Sequence, residues 1–224
     1  MFKYTAVMIE PRQHKAIYFV LNNFLMNLSD DWEVRVLVGN DNIDYVNDIV
    51  YNRLSQFLFR LKVINIGITN LNQRDYSKLM INKDTYDNIP TEMFLIFQTD
   101  SMIFKENKDL IYNYMEYDYV GAPWYSNDPQ KQVGNGGLSL RRKSKMLEII
   151  NRGNVLAYNE DAYFSWSYPI NKPSFEQAKE FSVETVFNEN SFGIHNAWKY
   201  LSYEQTEFLK NKYEGLSELI ELNS

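Results

Sequence analysis

The first candidates for chemistry are acidic residues that follow apolar runs. In the stretch Phe-Leu-Ile-Phe-Gln-Thr-Asp-Ser, residues 94–101, four apolar side chains precede a polar segment whose only charge is Asp100. Glu160 and Asp161 open a short aromatic segment, and His195 is one of only two histidines. Carboxylates and imidazoles can hold divalent cations and move protons. Each also has a simpler explanation, because acids cap helices and a lone histidine is usually a packed, hydrogen-bonded residue.

A glycine-rich region precedes the acid pair. Four of the nine glycines lie between Gly121 and Gly137. Glycine lets the backbone approach a ligand closely, although a hairpin or bulge explains the same composition. The run Gly-Asn-Gly-Gly at 134–137 lacks the Gly-Lys-Ser/Thr ending of a nucleotide-hydrolase phosphate loop, so that kind of site is not indicated.

Composition limits the possible partners. The 224 residues are 45% hydrophobic, enough for one large α/β domain, and the net charge of -6 argues against nucleic acid or an anionic membrane as partner. No apolar run approaches the roughly 20 residues of a membrane span, and no signal peptide is indicated, so we expect a soluble, cytoplasmic protein. Because the chain has no cysteine, a metal would need carboxylate, amide or imidazole ligands.

Apolar periodicity predicts alternating strands and helices in the first half. The predicted strands are 5–9, 32–38, 61–66 and 93–97, and the predicted helices are 15–28, 45–59 and 74–80. This alternation predicts a mostly parallel sheet flanked by helices, and ligands of such sheets bind beyond the carboxyl ends of the strands. Asp100 lies at such an end. In the second half we predict a helix over 144–150, a short helix after the acid pair, and capping boxes at Ser174-x-x-Gln177 and Ser202-x-x-Gln205.

Taken in order, these segments resemble the small GT-A-like glycosyltransferase domains. The matching motifs are Gln-Thr-Asp at 98–100, Gly-Ala-Pro-Trp at 121–124, Gly-Asn-Gly-Gly-Leu-Ser-Leu-Arg at 134–141, Asn-Glu-Asp at 159–161 and Phe-Gly-x-His at 192–195. The resemblance implies a Rossmann-like α/β fold with a mostly parallel central sheet. It also implies one domain over 1–224, with a nucleotide-binding half at 1–101 and an acceptor-side half at 102–224.

The resemblance further implies an activity. A hexosyltransferase-like enzyme of this kind moves a sugar from a nucleotide-diphosphate donor, here a UDP-sugar by preference, to a hydroxyl of a glycan or another acceptor. Mn²⁺ or Mg²⁺ would be held by Asp100 and His195. Gln98 departs from the family's Asp-x-Asp pattern and removes one negative charge from the metal site. Asp161 would be the general base of an inverting reaction, with Glu160 as the alternative base or an acceptor-binding partner.

Other residues receive roles from the same resemblance. Trp124 would stack on the acceptor sugar. The segment Ile9-Glu-Pro-Arg-Gln-His14 looks like the first strand-to-helix turn of the galactosyltransferase group. The residues assigned to the donor nucleotide and its sugar are Glu10, Arg12, Arg74, Asp75, Lys78, Gln98, Thr99, Asp100, Gly136, Gly137 and Ser139.

Two other functional classes stay open at this point. A sugar nucleotidyltransferase would also use a metal-binding Asp, but the Gly-rich, Arg-bearing loop that such enzymes place after the first strand is missing here. A non-catalytic nucleotide-sugar or glycan-binding module derived from a transferase agrees with Gln98. The persistence of Glu160, Asp161 and His195 together favours the enzyme.

Overall fold

The structure is a computed structural model that describes residues 1–153 and 159–224. Its helices and strands are, in chain order, β1 (Tyr4–Ile9), α1 (Ile17–Asn27), β2 (Trp32–Val38), α2 (Ile43–Arg53), β3 (Leu61–Asn65), α3 (Gln73–Met80), β4 (Met93–Phe97), β5 (Ser101–Ile103), β6 (Tyr119–Val120), β7 (Leu138–Arg142), α4 (Lys143–Asn151), α5 (Glu160–Ser165), α6 (Phe175–Phe181), β8 (Ser182–Val183), β9 (Gly193–His195), α7 (Tyr203–Lys212) and α8 (Leu216–Leu222). Short 3-10 helices cover Ser55–Phe57, Lys83–Asn88, Lys105–Tyr114, Pro129–Lys131 and Ala197–Lys199. Within the described ranges, no helix combines the length and apolarity that crossing a bilayer requires.

Six strands form the central sheet, in the order β3-β2-β1-β4-β7-β6. The first four are parallel, whereas the β4–β7 and β7–β6 pairs are antiparallel. Val7 of β1 lies opposite Ile96 of β4 near the ends of both strands. The turns that follow β1 and β4 therefore leave the sheet side by side, which confirms the mostly parallel sheet predicted from the alternation.

Both faces of the sheet are covered by apolar side chains. Along β4, Leu95 and Phe97 pack into the core on the α1 side, and Phe94 and Ile96 pack into the core on the α3 and α4 side. Phe97 stacks on Phe24 of α1 with 3.9 Å between ring centroids. Removing a phenylalanine side chain from such a core costs about 3–5 kcal/mol. Strand β4 is therefore firmly anchored, and so is the start of the segment that carries Asp100.

A second, three-stranded sheet has the order β5-β9-β8. Ser101 of β5 pairs with His195 of β9. This pairing brings the residue after Asp100 next to a histidine from a distant part of the chain. The sequence does not predict these strands, because two or three residues are too few to display an apolar alternation.

The helix predicted over 45–59 is wrong in its second part. Helix α2 ends at Arg53, and the 3-10 helix Ser55–Phe57 follows it. Leu54 leaves the helical conformation, with φ at -124° and ψ at 19°. Leu54 and Phe57 are both buried in the same core, so the apolar pattern continues across the break.

The two predicted capping boxes are confirmed. At the start of α6, the Ser174 hydroxyl accepts from the Gln177 backbone N–H and the Gln177 side chain accepts from the Ser174 backbone N–H. Ser202 and Gln205 form the same pair at the start of α7. Each box satisfies two backbone donors that the first turn of a helix leaves free, which is why the sequence signal is reliable.

Candidate active site at the carboxyl edge of the sheet

Two adjoining clefts lie where the turns after β1 and β4 leave the central sheet. The first cleft, of about 280 Å³, is bounded by residues 9–12, by residues 71–73 with Tyr76, and by residues 98–100. The second cleft, of about 370 Å³, contains Asp161 and His195, and Gln98 and Asp100 line both clefts. Ligands of parallel sheets bind at this edge, so the two clefts form the candidate site. Another cavity of about 380 Å³, beside α1, contains none of the predicted site residues.

His195 lies between two carboxylates. Its Nε2 is 3.3 Å from Asp100 Oδ1, and its Nδ1 is 3.4 Å from Glu184 Oε1. Burial alone would lower the pKa of His195, but the two carboxylates raise it to about 9. Burial would likewise raise the pKa of Asp100, but the contact with His195 lowers it. Without a further cation, the imidazole is therefore a protonated group held between two acids.

The donor set at Asp100 fits a divalent cation. Asp100 Oδ1 is buried and has no hydrogen-bond partner among the described residues, although His195 Nε2 is 3.3 Å away. Ligands at about 2.0–2.1 Å from an octahedral cation are about 3 Å apart, close to this spacing. Glu184 on the other ring nitrogen matches the carboxylate that usually orients a metal-bound histidine. In the described ranges no three His, Asp or Glu side chains are arranged to hold a metal, so a cation here would depend on water and substrate oxygens for its remaining ligands.

Glu184 is a buried residue that the sequence does not single out. Its Oε1 accepts a hydrogen bond from Asn135 Nδ2 at 2.5 Å, and its Oε2 accepts one from Trp124 Nε1 at 3.3 Å. Together with His195, these contacts come from three separate segments. Strand β8, which precedes Glu184, has only two residues, so the sequence gives no signal for Glu184 like the long apolar run before Asp100.

The glycines at 136 and 137 make room for site side chains. A Cβ on Gly137 would lie 2.1 Å from His195 Nε2, and a Cβ on Gly136 would lie 2.7 Å from Glu160 Oε1. Both glycines line the second cleft. The sequence suggests that these glycines let the backbone approach a ligand, and in the structure they let it approach the side chains of His195 and Glu160.

Glu160 forms an ion pair with Arg141, whose side chain is fully buried. Arg141 Nη2 donates to Glu160 Oε1 and Nη1 lies by Oε2, each at 3.2 Å. Burial alone would lower the pKa of Arg141, but Glu160 raises it. Ser139, predicted as a donor contact, is fully buried and does not line the cleft. Its hydroxyl donates to Gly136 O and accepts from Arg141 Nε.

Asp161 follows Glu160 in the chain and lines the second cleft. Burial, and then the charge of Glu160, raise its pKa to about 6. Its Oδ1 accepts the Ala162 backbone N–H at 2.7 Å, and in the described part of the chain it forms no ion pair. The Asp161 carboxyl group in the second cleft therefore changes its protonation state near pH 6.

Glu10 and Arg12 lie together at the mouth of the first cleft. Glu10 Oε1 accepts from Arg12 Nε at 2.8 Å, and Oε2 accepts from Nη2 at 2.7 Å. The Asn42 side chain donates to the backbone oxygens of both residues and fixes this turn. Thr99 lines the same cleft. The structure therefore brings these predicted donor residues close to Gln98 and Asp100.

Three predicted donor residues on α3 do not reach either cleft. Arg74, Asp75 and Lys78 line neither cleft, and Lys78 Nζ pairs with Asp75 Oδ1 at 3.0 Å. The residues of α3 that face the clefts are Gln73, Tyr76 and Ser77. The sequence predicts this helix but not which of its faces is turned toward the clefts. The Tyr76 hydroxyl, buried and without a hydrogen-bond partner among the described residues, lies in this lining.

The chain matches the profile of a family described as "Protein of unknown function (DUF5672)" over residues 60–195. This range includes Asp100, the glycine segment and the acid pair, and it ends at His195. A search of curated proteins finds no significant match.

Several solved glycosyltransferases share the fold. The galactosyltransferase LgtC, solved with donor and acceptor sugar analogs, superposes with a TM-score of 0.60 at 11% identity, over 97% of this chain and 94% of LgtC. Mouse xyloside xylosyltransferase 1 gives 0.58 at 8% identity, over 89% and 99%. The mannosyltransferase PcManGT of Pyrobaculum calidifontis, in complex with GDP-Man and Mn²⁺, gives 0.52 at 11% identity, over 77% of this chain and 54% of PcManGT. At these identities the likeness shows the fold alone, and it confirms the GT-A fold expected from the sequence.

Proposed function

The chain belongs to the DUF5672 family, described as of unknown function, and from the geometry of its site we propose that it is a hexosyltransferase-like glycosyltransferase. It moves a sugar from a nucleotide-diphosphate donor, a UDP-sugar by preference, to a hydroxyl of a glycan or another acceptor. One observation carries this proposal. At the carboxyl edge of a GT-A sheet, Asp100 and His195 face each other at 3.3 Å, and Asp161 lines the same cleft.

Each of the two clefts binds a different part of the donor. The first cleft, with Glu10, Arg12 and Thr99, receives the nucleotide, and the second, with Gly136 and Gly137, receives the sugar. Gln98 and Asp100 line both clefts, so the diphosphate lies beside them. In this proposal residues 1–101 form the nucleotide-binding half and residues 102–224 form the acceptor-side half.

Asp100 and His195 are the residues that would hold Mn²⁺ or Mg²⁺. When bound, such a cation offsets the negative charge that develops on the departing diphosphate. Glu184 keeps His195 Nε2 directed at Asp100, as outer carboxylates do for metal-binding histidines. Gln98 adds no charge, so we expect weaker cation binding than at a site with two aspartates.

Asp161 acts as general base in this proposal. It accepts the proton of the acceptor hydroxyl while a bond forms between the acceptor oxygen and the anomeric carbon. At the same time the bond from that carbon to the diphosphate oxygen breaks, so the product is inverted and the leaving group is a nucleoside diphosphate. A base with a pKa of about 6 is ionised at neutral pH and still basic enough to take part in proton transfer. Glu160, held by Arg141, keeps a second negative charge beside it.

A non-catalytic binding module is the second candidate. It is favoured by the position of His195, which has a carboxylate at each ring nitrogen and so forms a self-contained charged cluster. Gln98 agrees with the same interpretation, since loss of an acid weakens a metal site.

Donor binding and donor turnover separate the two candidates. Calorimetry with UDP-glucose and UDP-galactose, with and without Mn²⁺, measures binding, and an assay for released UDP measures turnover. We expect Mn²⁺-dependent binding that Asp100→Ala weakens, and UDP release that Asp161→Asn abolishes while donor affinity is kept. Binding without release for any donor and acceptor tried would support the module. Wild-type transfer by Asp161→Asn would show that Asp161 is not the base.

A further inference from the structure

A third cleft, of about 380 Å³, adjoins the second. It is lined by Trp124, Asn159, Asp161, Ala162 and Trp166, and the first three of these also line the second cleft. Its volume falls within the range of about 300–1,000 Å³ that is usual for small-molecule sites. Trp166 has no part in the proposed reaction, yet it forms a wall of a cleft that reaches the proposed base.

The ring of Trp124 is fixed in place. Its Nε1 donates to Glu184 Oε2 at 3.3 Å. A Cβ on Gly134 would lie 2.4 Å from Trp124 Cζ3, so the ring occupies space that only a glycine leaves open. A side chain held from both ends loses little conformational entropy when a ligand binds against it.

The ring of Trp166 meets that of Trp124 edge-on. Their centroids are 6.2 Å apart, and their planes differ by 80°. The Lys131 ammonium group lies 5.1 Å from the centroid of the Trp166 ring and contacts it from the 129–131 segment. The two indoles therefore form a corner with two walls at nearly a right angle.

The chemistry of this corner selects among acceptors. The walls are aromatic, whereas Asn159 and Asp161 add an amide and a carboxylate to the lining. A sugar ring offers C–H surface to the walls and hydroxyls to the polar groups, which suits such a lining. An alkyl chain would offer this amide and this carboxylate no hydrogen bond. An anionic group directed at Asp161 would be repelled by that carboxylate, whereas the charge of Glu160 is offset by Arg141.

We propose that the acceptor is a neutral saccharide whose ring packs into the corner formed by Trp124 and Trp166, with one hydroxyl directed at Asp161. This inference rests on the proposed function, because it names the acceptor class of that site. Trp166 is its newly assigned binding residue, and the bonds made and broken are those of the proposed transfer.

The first test separates acceptor binding from donor turnover. UDP-glucose and UDP-galactose serve as donors in the presence of Mn²⁺, water serves as the background acceptor, and methyl β-glucoside, methyl β-galactoside and lactose serve as saccharide acceptors. We expect Trp166→Ala to raise the KM for the saccharide about tenfold, which corresponds to the loss of one aromatic contact. Tyr51→Ala removes an exposed aromatic ring on α2 and is the matched control. An unchanged saccharide KM in Trp166→Ala would overturn the proposal, as would equal wild-type transfer to octanol or to a serine peptide.

The second test does not require turnover. The chain has four tryptophans, so its indole N–H signals can be assigned by NMR with single Trp→Phe variants and followed as the same methyl glycosides are added. Shifts confined to Trp124 and Trp166 support the saccharide site, and no shift at either residue at millimolar glycoside overturns it. If these shifts occur but no donor is ever turned over, the proposed function fails and the saccharide site stands. If UDP is released to water but neither shifts nor saccharide transfer occur, only the acceptor inference fails.

Discussion

Gly137 leaves the space that the imidazole of His195 fills, since a Cβ at position 137 would lie 2.1 Å from His195 Nε2. The contact joins the segment before β7 to the end of β9. The position of His195, a proposed metal ligand, therefore depends on the lack of a side chain at position 137.

Gly137→Ala should therefore displace His195. Overpacking of this kind costs about 1–3 kcal/mol in unfolding free energy, and a displaced imidazole should weaken Mn²⁺ binding. Denaturant unfolding and Mn²⁺ titration measure the two effects. His195→Ala with Gly137→Ala is the control: the glycine substitution should cost little once the ring is gone. An equal cost in both backgrounds would show that the clash lies elsewhere.

Asp161→Asn should make the protein more stable while it abolishes transfer. The folded protein holds its proton on Asp161 up to about pH 6, whereas an unfolded aspartate loses it near pH 4. Between these values the folded state binds more protons, so stability falls as pH rises, and above pH 7 the cost reaches up to about 3 kcal/mol. The asparagine removes this cost and can still accept the Ala162 N–H. Unfolding of both proteins near pH 4 and pH 7 tests this, with a gain expected only at the higher pH.

The rate should follow the ionisation of the same carboxylate. With Asp161 as base, kcat/KM should be level above about pH 7 and should fall about tenfold per pH unit well below pH 6. A pH series with constant ionic strength and saturating Mn²⁺ measures the profile. A profile that is flat down to about pH 5 would exclude a base with this pKa.

The Arg141–Glu160 pair should be strongly coupled. Each residue is buried, so Arg141→Met or Glu160→Gln alone leaves one charge without its partner, which costs about 3–5 kcal/mol. The double variant should lose much less than the sum of the two. Urea unfolding of the wild type, the two single variants and the double variant measures this coupling. Additive losses of unfolding free energy would show that the two residues are not coupled.

Long, regular elements were predictable from the sequence because their apolar periods are long enough to read. The predicted strands 32–38 and 93–97 match β2 and β4 to the residue. The capping boxes were equally clear, since each is a local pattern with a local cause. The position of Asp100 at the carboxyl edge followed directly from the end of β4.

The missing parts of the site depend on contacts between distant segments. Glu184 follows a strand of two residues, and its partners Asn135, Trp124 and His195 come from elsewhere in the chain. For α3, the sequence predicts a helix but does not specify that Tyr76, rather than Arg74, faces the clefts. The sequence likewise does not specify that Ser139 is fully buried.

The direction of β7 has a consequence for how relatives of this chain can diverge. Because β7 is antiparallel to β4, its beginning rather than its end lies at the edge where the parallel strands finish. The segment that enters the site ahead of β7, including the 3-10 helix at 129–131, can therefore change in length or sequence without altering the register of the sheet. Changes in this segment would alter the second cleft, whereas the first cleft, lined by residues 9–12 and 98–100, would keep its lining.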